Sequence, residues 1–230
     1  DADATGVVPT WVAASGGNTT ITCGDYKVHV FTGPGTLCVS CAGNPAGSDI
    51  VEYAVVAGGG ASGGYGSSGG CYQGGGGGGA GGFRSYTALT PASPINAPAG
   101  LTVSASPYPV TVGGGGAPAV CNTNTGASGS NSVFSTITSA GGGGGGGKNS
   151  PCNGSGANGG SGGGGRGSMC CQTVSTGGTG NTPSVSPVQG KDGGSGGKGP
   201  PNQVGGGAGG GAVTAGVDIS PVTQNYGASG

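Results

Sequence analysis

A chain of 230 residues is long enough for a full domain, yet 65 of them are glycine and 15 are proline. Charged residues make up 6% and the formal net charge is −1, so no electrostatic footprint for nucleic acid or acidic membranes exists, and no stretch approaches the ~20 consecutive apolar residues of a membrane span. One histidine and seven carboxylates, with no Ser/His/Asp grouping, leave nothing for acid–base or nucleophilic chemistry, and neither an enzyme nor a cofactor is expected.

In chain order, residues 1–18 form a lead-in or attachment arm. Trp11 stands beside Val8, Pro9 and Val12, either capping the next element or docking onto a preceding subunit. Residues 19–57 predict a small antiparallel β-unit. Thr19–Cys23 is β-branched, and Asp25–Thr32 alternates with Tyr26, Val28 and Val30 on one face and Lys27, His29 and Phe31 on the other. Thr32-Gly33-Pro34-Gly35 has turn chemistry, which makes Thr36–Ser40 the expected hairpin partner. Ala42–Asp49 reads as a loop and Ile50–Ala57 as the third strand. This unit carries the dense apolar set and is expected to hold the conventional core.

Residues 58–230 form a glycine-rich body. Val51, Tyr53 and Val55 alternate with Glu52 and Ala54 until, at Gly58, the side chains stop. The same switch recurs where Tyr108–Val112 runs into Gly113–Gly116 and where Val133–Ala140 runs into Gly141–Gly147. A strand feeding a glycine run, repeated along one chain, is an internal repeat. Ordering glycine costs more backbone entropy than ordering any other residue, which favours a flexible linker. The ordered alternative is a left-handed threefold helix of the polyproline II type. It has no internal hydrogen bonds, so a buried one must pair with its neighbours, and only glycine lets such helices approach closely enough. Gly74–Gly82 would then span about 28 Å at ~3.1 Å per residue. The runs are broken by single Ala, Ser, Tyr and Cys residues rather than by charges, and the expected architecture is a bundle of polyglycine II helices. No window shows apolar residues at helical spacing, so the fold class is mostly β and irregular, with essentially no α-helix.

Four insertions interrupt the body: Cys71–Gln73, Phe83–Pro109, Ala117–Asn131 and Lys148–Pro187. Two nucleotide-like patterns are chance matches. Gly64–Gly69 fits G-x-G-x-x-G and Gly142–Lys148 fits the start of a P-loop, but neither leads into a sequence that can form the helix whose N-terminus takes phosphate. Cys38-Val39-Ser40-Cys41 lacks the second pair or histidines of a zinc site, so no metal is expected. With an even number of cysteines, Cys23, Cys38, Cys41, Cys71, Cys121, Cys152, Cys170 and Cys171 are expected in disulfides that staple the loops, with the pairing open. Asn18 and Asn153 each open an N-x-[ST] pattern.

YKVHVFTGPGTLCVS at Tyr26–Ser40, VEYAVVAGGG at Val51–Gly60 and GGGGGGAGGFRS at Gly74–Ser85 together resemble the glycine-rich domain of bacteriophage tail-fibre proteins. The best-known relatives are the adhesins at the tips of T-even-like long tail fibres. The resemblance covers Tyr26 to Gly147, and the eight cysteines depart from it. It implies a virion tail-fibre protein outside the cell, with stacked polyglycine II helices carrying receptor-binding loops. The implied partners are a host surface receptor, protein or glycan, and other fibre subunits, with a homo-oligomer open. Aromatic and Arg side chains supply most anchor energy in interfaces. Tyr72, Phe83, Arg84 and Tyr86 flank one run and are the receptor-binding candidates, expected to share one end of the bundle. Pro91, Pro94 and Pro98 would stiffen the adjoining loop. The competing role for Phe83 and Tyr86 is to cap the bundle against water. The competing function is an extracellular structural or ice-binding protein; ice binding would need Thr or apolar residues at every third position, and the runs keep no such register.

Overall fold

The computed structural model describes residues 6–68, 71–89, 94–120, 125–147, 154–168, 174–197 and 203–219. Among them there is no α-helix, only short strands and extended runs. The strands are β1 (Val12–Ser15), β2 (Thr19–Cys23), β3 (Tyr26–Val30), β4 (Gly35–Ala42), β5 (Ile50–Val51), β6 (Tyr53–Val56), β7 (Gly66–Ser68), β8 (Cys71–Gln73) and β9 (Phe83–Tyr86). Then follow β10 (Leu101–Thr102), β11 (Pro107–Thr111), β12 (Ser132–Phe134), β13 (Ile137–Ser139) and β14 (Gln203–Val204).

The main sheet runs β1-β4-β11-β12-β13 and is antiparallel. Along β4, Leu37 and Val39 point inward while Thr36, Cys38 and Ser40 point to solvent, as alternation requires. Leu37 and Val39 meet Val103, with Val12, Ala14, Phe31, Val51, Leu101, Tyr108 and Phe134 packed around them. The conventional core expected within 19–57 therefore draws four of its ten residues from 101–134 and two, Val12 and Ala14, from the lead-in. β-Branched and aromatic residues occur there too, and they supply the sheet's other side.

The expected hairpin between β3 and Thr36–Ser40 does not form. β3 pairs with β2, Cys23 opposite Tyr26 across a two-residue turn, and Gly24 takes the positive φ (56°) that such a turn needs. β4 instead lies between β1 and β11. The third expected strand is split at Glu52: β5 pairs with β10 and β6 with β9.

The glycine runs form the bundle. They occupy 57–65, 74–82, 113–117, 125–131, 140–147, 154–160, 161–168, 174–180, 189–197, 205–211 and 215–219, alternately leading away from the sheets and back. Hydrogen bonds link them laterally at three-residue intervals. Ala57, Gly60 and Gly63 donate to the carbonyls of Gly82, Gly79 and Gly76, an antiparallel pair. Gly74, Gly77 and Ala80 donate to Val204, Gly207 and Gly210, a parallel one. That period is the threefold helix's own, and every pair of runs that leads in the same direction is parallel.

Run 161–168 is the centre. Gly162, Gly165 and Ser168 donate to run 189–197, Gly163 and Arg166 to 154–160, and Gly164 and Gly167 to 74–82. Its carbonyls accept from the three remaining neighbours: Ser161 and Gly164 from 140–147, Gly162 and Gly165 from 205–211, and Gly163 from 174–180, all at 2.7–3.0 Å. Donor and acceptor faces thus alternate around a hexagon, and Ser161–Ser168 is wholly buried. Burying a backbone without regular secondary structure normally leaves unpaired amides; here every amide from Gly162 to Ser168 meets a neighbour.

Run 140–147 is the second centre, buried throughout. One of its six positions holds no run among the described residues. There, Asn131 Oδ1 accepts from Gly141 N–H (2.9 Å) and Ser128 Oγ from Gly144 N–H (3.2 Å). Two side chains on the neighbouring run replace a missing helix.

Candidate functional site

The alternation of the runs gives the bundle two unlike ends. The sheets stand at one. β6 passes into run 57–65, β9 leaves run 74–82, β11 enters 113–117, and β12–β13 joins 125–131 to 140–147. Among the described residues, the sheet at the far end is the small β14-β8-β7. The flanks of five connections meet there: Ser68 and Cys71, Val120 and Thr125, Gly147 and Gly154, Ser168 and Val174, Gly197 and Gln203.

This geometry separates the four receptor candidates. Phe83, Arg84 and Tyr86 lie on β9 at the sheet end, whereas Tyr72 lies on β8 at the far end. About 28 Å of extended chain separates them, so the four do not share one end. A run that never folds back carries its two flanks to opposite ends. Tyr65, about half exposed, also belongs to the far end.

On β9 every side chain is half-buried, with Phe83 opposite Val56, Arg84 opposite Val55 and Tyr86 opposite Tyr53. A Cβ on Gly100 would lie 2.8 Å from the Tyr86 ring, so the ring is covered on that side. Burial pushes the Tyr53 phenol up, and the nearby Arg84 guanidinium pulls it part of the way back. The stretch after β9 is closed at its base by Asn96: its Oδ1 accepts from Thr87 N–H (2.8 Å), and its Nδ2 donates to Thr87 O (3.0 Å). Leu89 projects from this stretch, 69% exposed. Of the stiffening prolines, Pro94 and Pro98 fall in described chain and Pro91 outside it.

Gln189 seals the sheet end, a role the sequence does not announce. It is 1% exposed; its Oε1 accepts from Ala140 N–H and its Nε2 donates to Pro183 O, each at 2.8 Å. Its carbonyl takes the Phe83 N–H at 2.8 Å. One residue thus ties β9 to the start of run 140–147. Arg166 is the other unannounced feature. It sits on the central run, 3% exposed, with Nε unpaired, and burial lowers its pKa. Gly154 packs against its stem, where a Cβ would come within 2.7 Å of Arg166 Cβ.

The cysteines correct the disulfide expectation where they can be seen. Cys23, Cys38 and Cys41 are free and exposed. Cys38 and Cys41 stand three residues apart on one strand, roughly 10 Å when extended, beyond the ~4.4–6.8 Å Cα separation a disulfide spans. A bulge brings both to the solvent side: Ala13 pairs with Cys41 and Ala14 with Val39, leaving Ser40 over. Cys71 is placed by its backbone in β8, and Cys121, Cys152, Cys170 and Cys171 lie outside the described residues.

Neither nucleotide-like pattern leads into a helix among the described residues. Gly142–Gly147, the glycines of the P-loop match, are buried bundle. Among those residues no group of His, Cys, Asp and Glu could hold a metal ion, and no helix is long and apolar enough to cross a membrane.

Compared with known families, residues 39–230 match the family described as a glycine-rich domain. No curated protein and no solved structure matches the chain.

Proposed function

Since the chain belongs to the glycine-rich domain family, we propose that it is a non-enzymatic fibre component outside the cell, a tail-fibre adhesin that recognises a host surface from the far end of a rigid polyglycine post. The observation that carries this reading is the up-and-down path of the runs, which delivers the flanks of five connections to one end. A post built without side chains offers little shape or apolar area, so contacts must come from what its ends display. The far end is free of the large sheet, and its connections can change in sequence without disturbing the lattice beneath them.

The sheet end is the attachment end. Val7, Val8, Trp11, Ile21, Tyr26 and Val28 are all exposed. Ile21 lies opposite Val28, and Cys23 opposite Tyr26, on the two-stranded β2–β3 ribbon. A lone ribbon with an uncovered apolar face gains stability by packing on a further subunit. Phe83, Arg84 and Tyr86 act in this reading as a lid on the bundle.

The test compares two variants for binding to a panel of bacterial cells and for melting temperature: Tyr65→Ala with Tyr72→Ala, and Phe83→Ala with Arg84→Ala and Tyr86→Ala. The far-end pair should lose adsorption with melting unchanged, and the β9 triple should lose stability. Adsorption lost in the β9 triple alone, with stability intact, would move recognition to the sheet end. Wild-type protein that binds no bacterial surface would overturn the adhesin reading.

A further inference from the structure

Runs 74–82 and 205–211 lie side by side at the surface, and between them runs a groove of ≈ 320 Å³ lined by Gly77, Gly78, Ala80, Ala208, Gly209, Gly210 and Gly211. We propose that this groove is a docking site for a glycine-rich extended segment of another protein chain, which would enter it as one more polyglycine II helix.

The argument comes from the lattice bookkeeping. Run 205–211 donates from Gly207 and Gly210 to run 161–168, and from Ala208 to run 215–219. The remaining register, Gly206 and Gly209, donates to nothing among the described residues. Run 74–82 accepts at Gly76, Gly79 and Gly82 from run 57–65, and at Gly74 and Gly77 from run 161–168. The carbonyls of Gly75 and Gly78 accept from nothing among the described residues. The contact geometry shows where they lie: a Cβ on Gly206 would meet Gly75 O at 2.1 Å, and one on Gly209 would meet Gly78 O at 1.9 Å. The open carbonyls of one wall therefore border the open amides of the other. Gly206 is buried even so, and an unmet buried amide is costly.

Donor and acceptor faces alternate around each run, so this vacant slot has a defined polarity. Its occupant must accept from Gly206 and Gly209 and donate to Gly75 and Gly78, at three-residue spacing on both walls. Only a threefold extended backbone has that spacing, and glycine must face the walls because the other runs tolerate no Cβ at such contacts. The third position along the segment faces solvent and is free to carry a side chain. The interface continues the one that already joins the runs, much as a peptide extends a sheet by strand addition.

Two other sides that lack a run are closed off. The vacancy beside run 140–147 is filled by Asn131 and Ser128. Run 215–219 turns Val217 outward, and its Asp218 Oδ1 takes the Ser195 N–H. The groove by 74–82 has nothing larger than alanine along it. The inference stands apart from receptor binding, which belongs to the bundle's ends.

The test is NMR of the full-length ¹³C,¹⁵N-labelled protein titrated with acetyl-(Gly-Gly-Asn)₄-amide. The amides of Gly206 and Gly209 should shift and exchange at least tenfold more slowly, and the carbonyl carbons of Gly75 and Gly78 should shift. The Gly75 and Gly78 amides face a different slot and should stay fast. Ala80→Trp puts an indole into the groove from an exposed position and should abolish the effect with the melting temperature held. Acetyl-(Pro)₁₂-amide has the same helix but no N–H and should do nothing. No response at Gly206 and Gly209, equal response to the proline peptide, or undiminished response in Ala80→Trp overturns the proposal. Concentration-dependent self-association that Ala80→Trp removes would make a second copy the occupant and overturn the proposal in favour of self-assembly.

Discussion

The close-packing argument makes its sharpest claim at Gly144. This residue is buried on run 140–147, and a Cβ placed there would sit 1.7 Å from the Gly126 carbonyl oxygen, where ordinary contact begins at 3.4 Å. Run 125–131 would have to retreat by roughly the 1.7 Å difference. The bonds Gly126 N–H···O Gly145 (2.8 Å) and Gly129 N–H···O Gly142 (2.9 Å) cross that gap and would open beyond hydrogen-bonding range. Overpacking costs about 1–3 kcal/mol and leaving the buried Gly126 amide unpaired about 1–3 kcal/mol more, so Gly144→Ala should destabilise by about 2–6 kcal/mol. Gly114 is the control. A Cβ there meets nothing within 4 Å, and Gly114→Ala should be neutral or stabilise by about 0.4–1 kcal/mol through the unfolded chain. Urea unfolding followed by circular dichroism measures both. If the two variants agree within about 0.5 kcal/mol, the runs are not packed backbone to backbone and the argument fails.

Three further outcomes follow from geometry elsewhere. Gln189→Met should destabilise by about 2–4 kcal/mol, because it leaves the Ala140 N–H and the Pro183 carbonyl unpaired; an unchanged thermal midpoint would show that the clamp is idle. Cys23, Cys38 and Cys41 should react with a thiol reagent in the folded protein, and Cys38→Ser with Cys41→Ser should lower the native thiol count by two, whereas a count that stays constant would mean both are blocked. The Tyr53 phenol keeps its proton more firmly when folded, because burial outweighs the pull of Arg84. It therefore contributes stability that is complete below the unfolded tyrosine pKa and is lost as pH climbs through the folded one. Arg84→Gln removes the pull and should raise the Tyr53 midpoint further in an ultraviolet titration; a lowered midpoint would contradict the assignment.

What the sequence disclosed depended on side chains. The junctions at Gly58, Gly113 and Gly141 were legible because a strand's alternation stops abruptly there, and the structure begins runs at or beside each of them. Which run touches which was not legible. Glycines carry no pattern to assign neighbours, so neither the central place of 161–168 nor the pairing of 74–82 with 205–211 could be inferred. The turn at Thr32–Gly35 misled because its chemistry is real, yet Gly24 offers β3 a tighter return, and the bulge at Ser40 fits β4 to β1 instead. Tyr72 and Phe83 read as neighbours because they flank one run; the rise of that run is what parts them. Gln189 and Arg166 looked like ordinary polar residues, since burial inside a lattice of backbone leaves no apolar signature in sequence.

The buried centre of this protein is made of peptide groups, and that has a thermodynamic consequence. Along the runs and β14 the buried apolar side chains among the described residues are few and mostly small, Ala57, Ala140, Val204, Ala208 and Ile219. Exposing apolar surface raises the heat capacity by about 0.45 cal/K/mol per Å², while exposing polar surface lowers it by about 0.26. Melting this lattice releases mainly the second kind, so the heat-capacity increment per residue falls below the usual ~12–15 cal/mol/K. A small increment flattens the dependence of stability on temperature. The post should hold its stiffness almost evenly from cold water to warm, where a protein with an oily core would show a pronounced optimum.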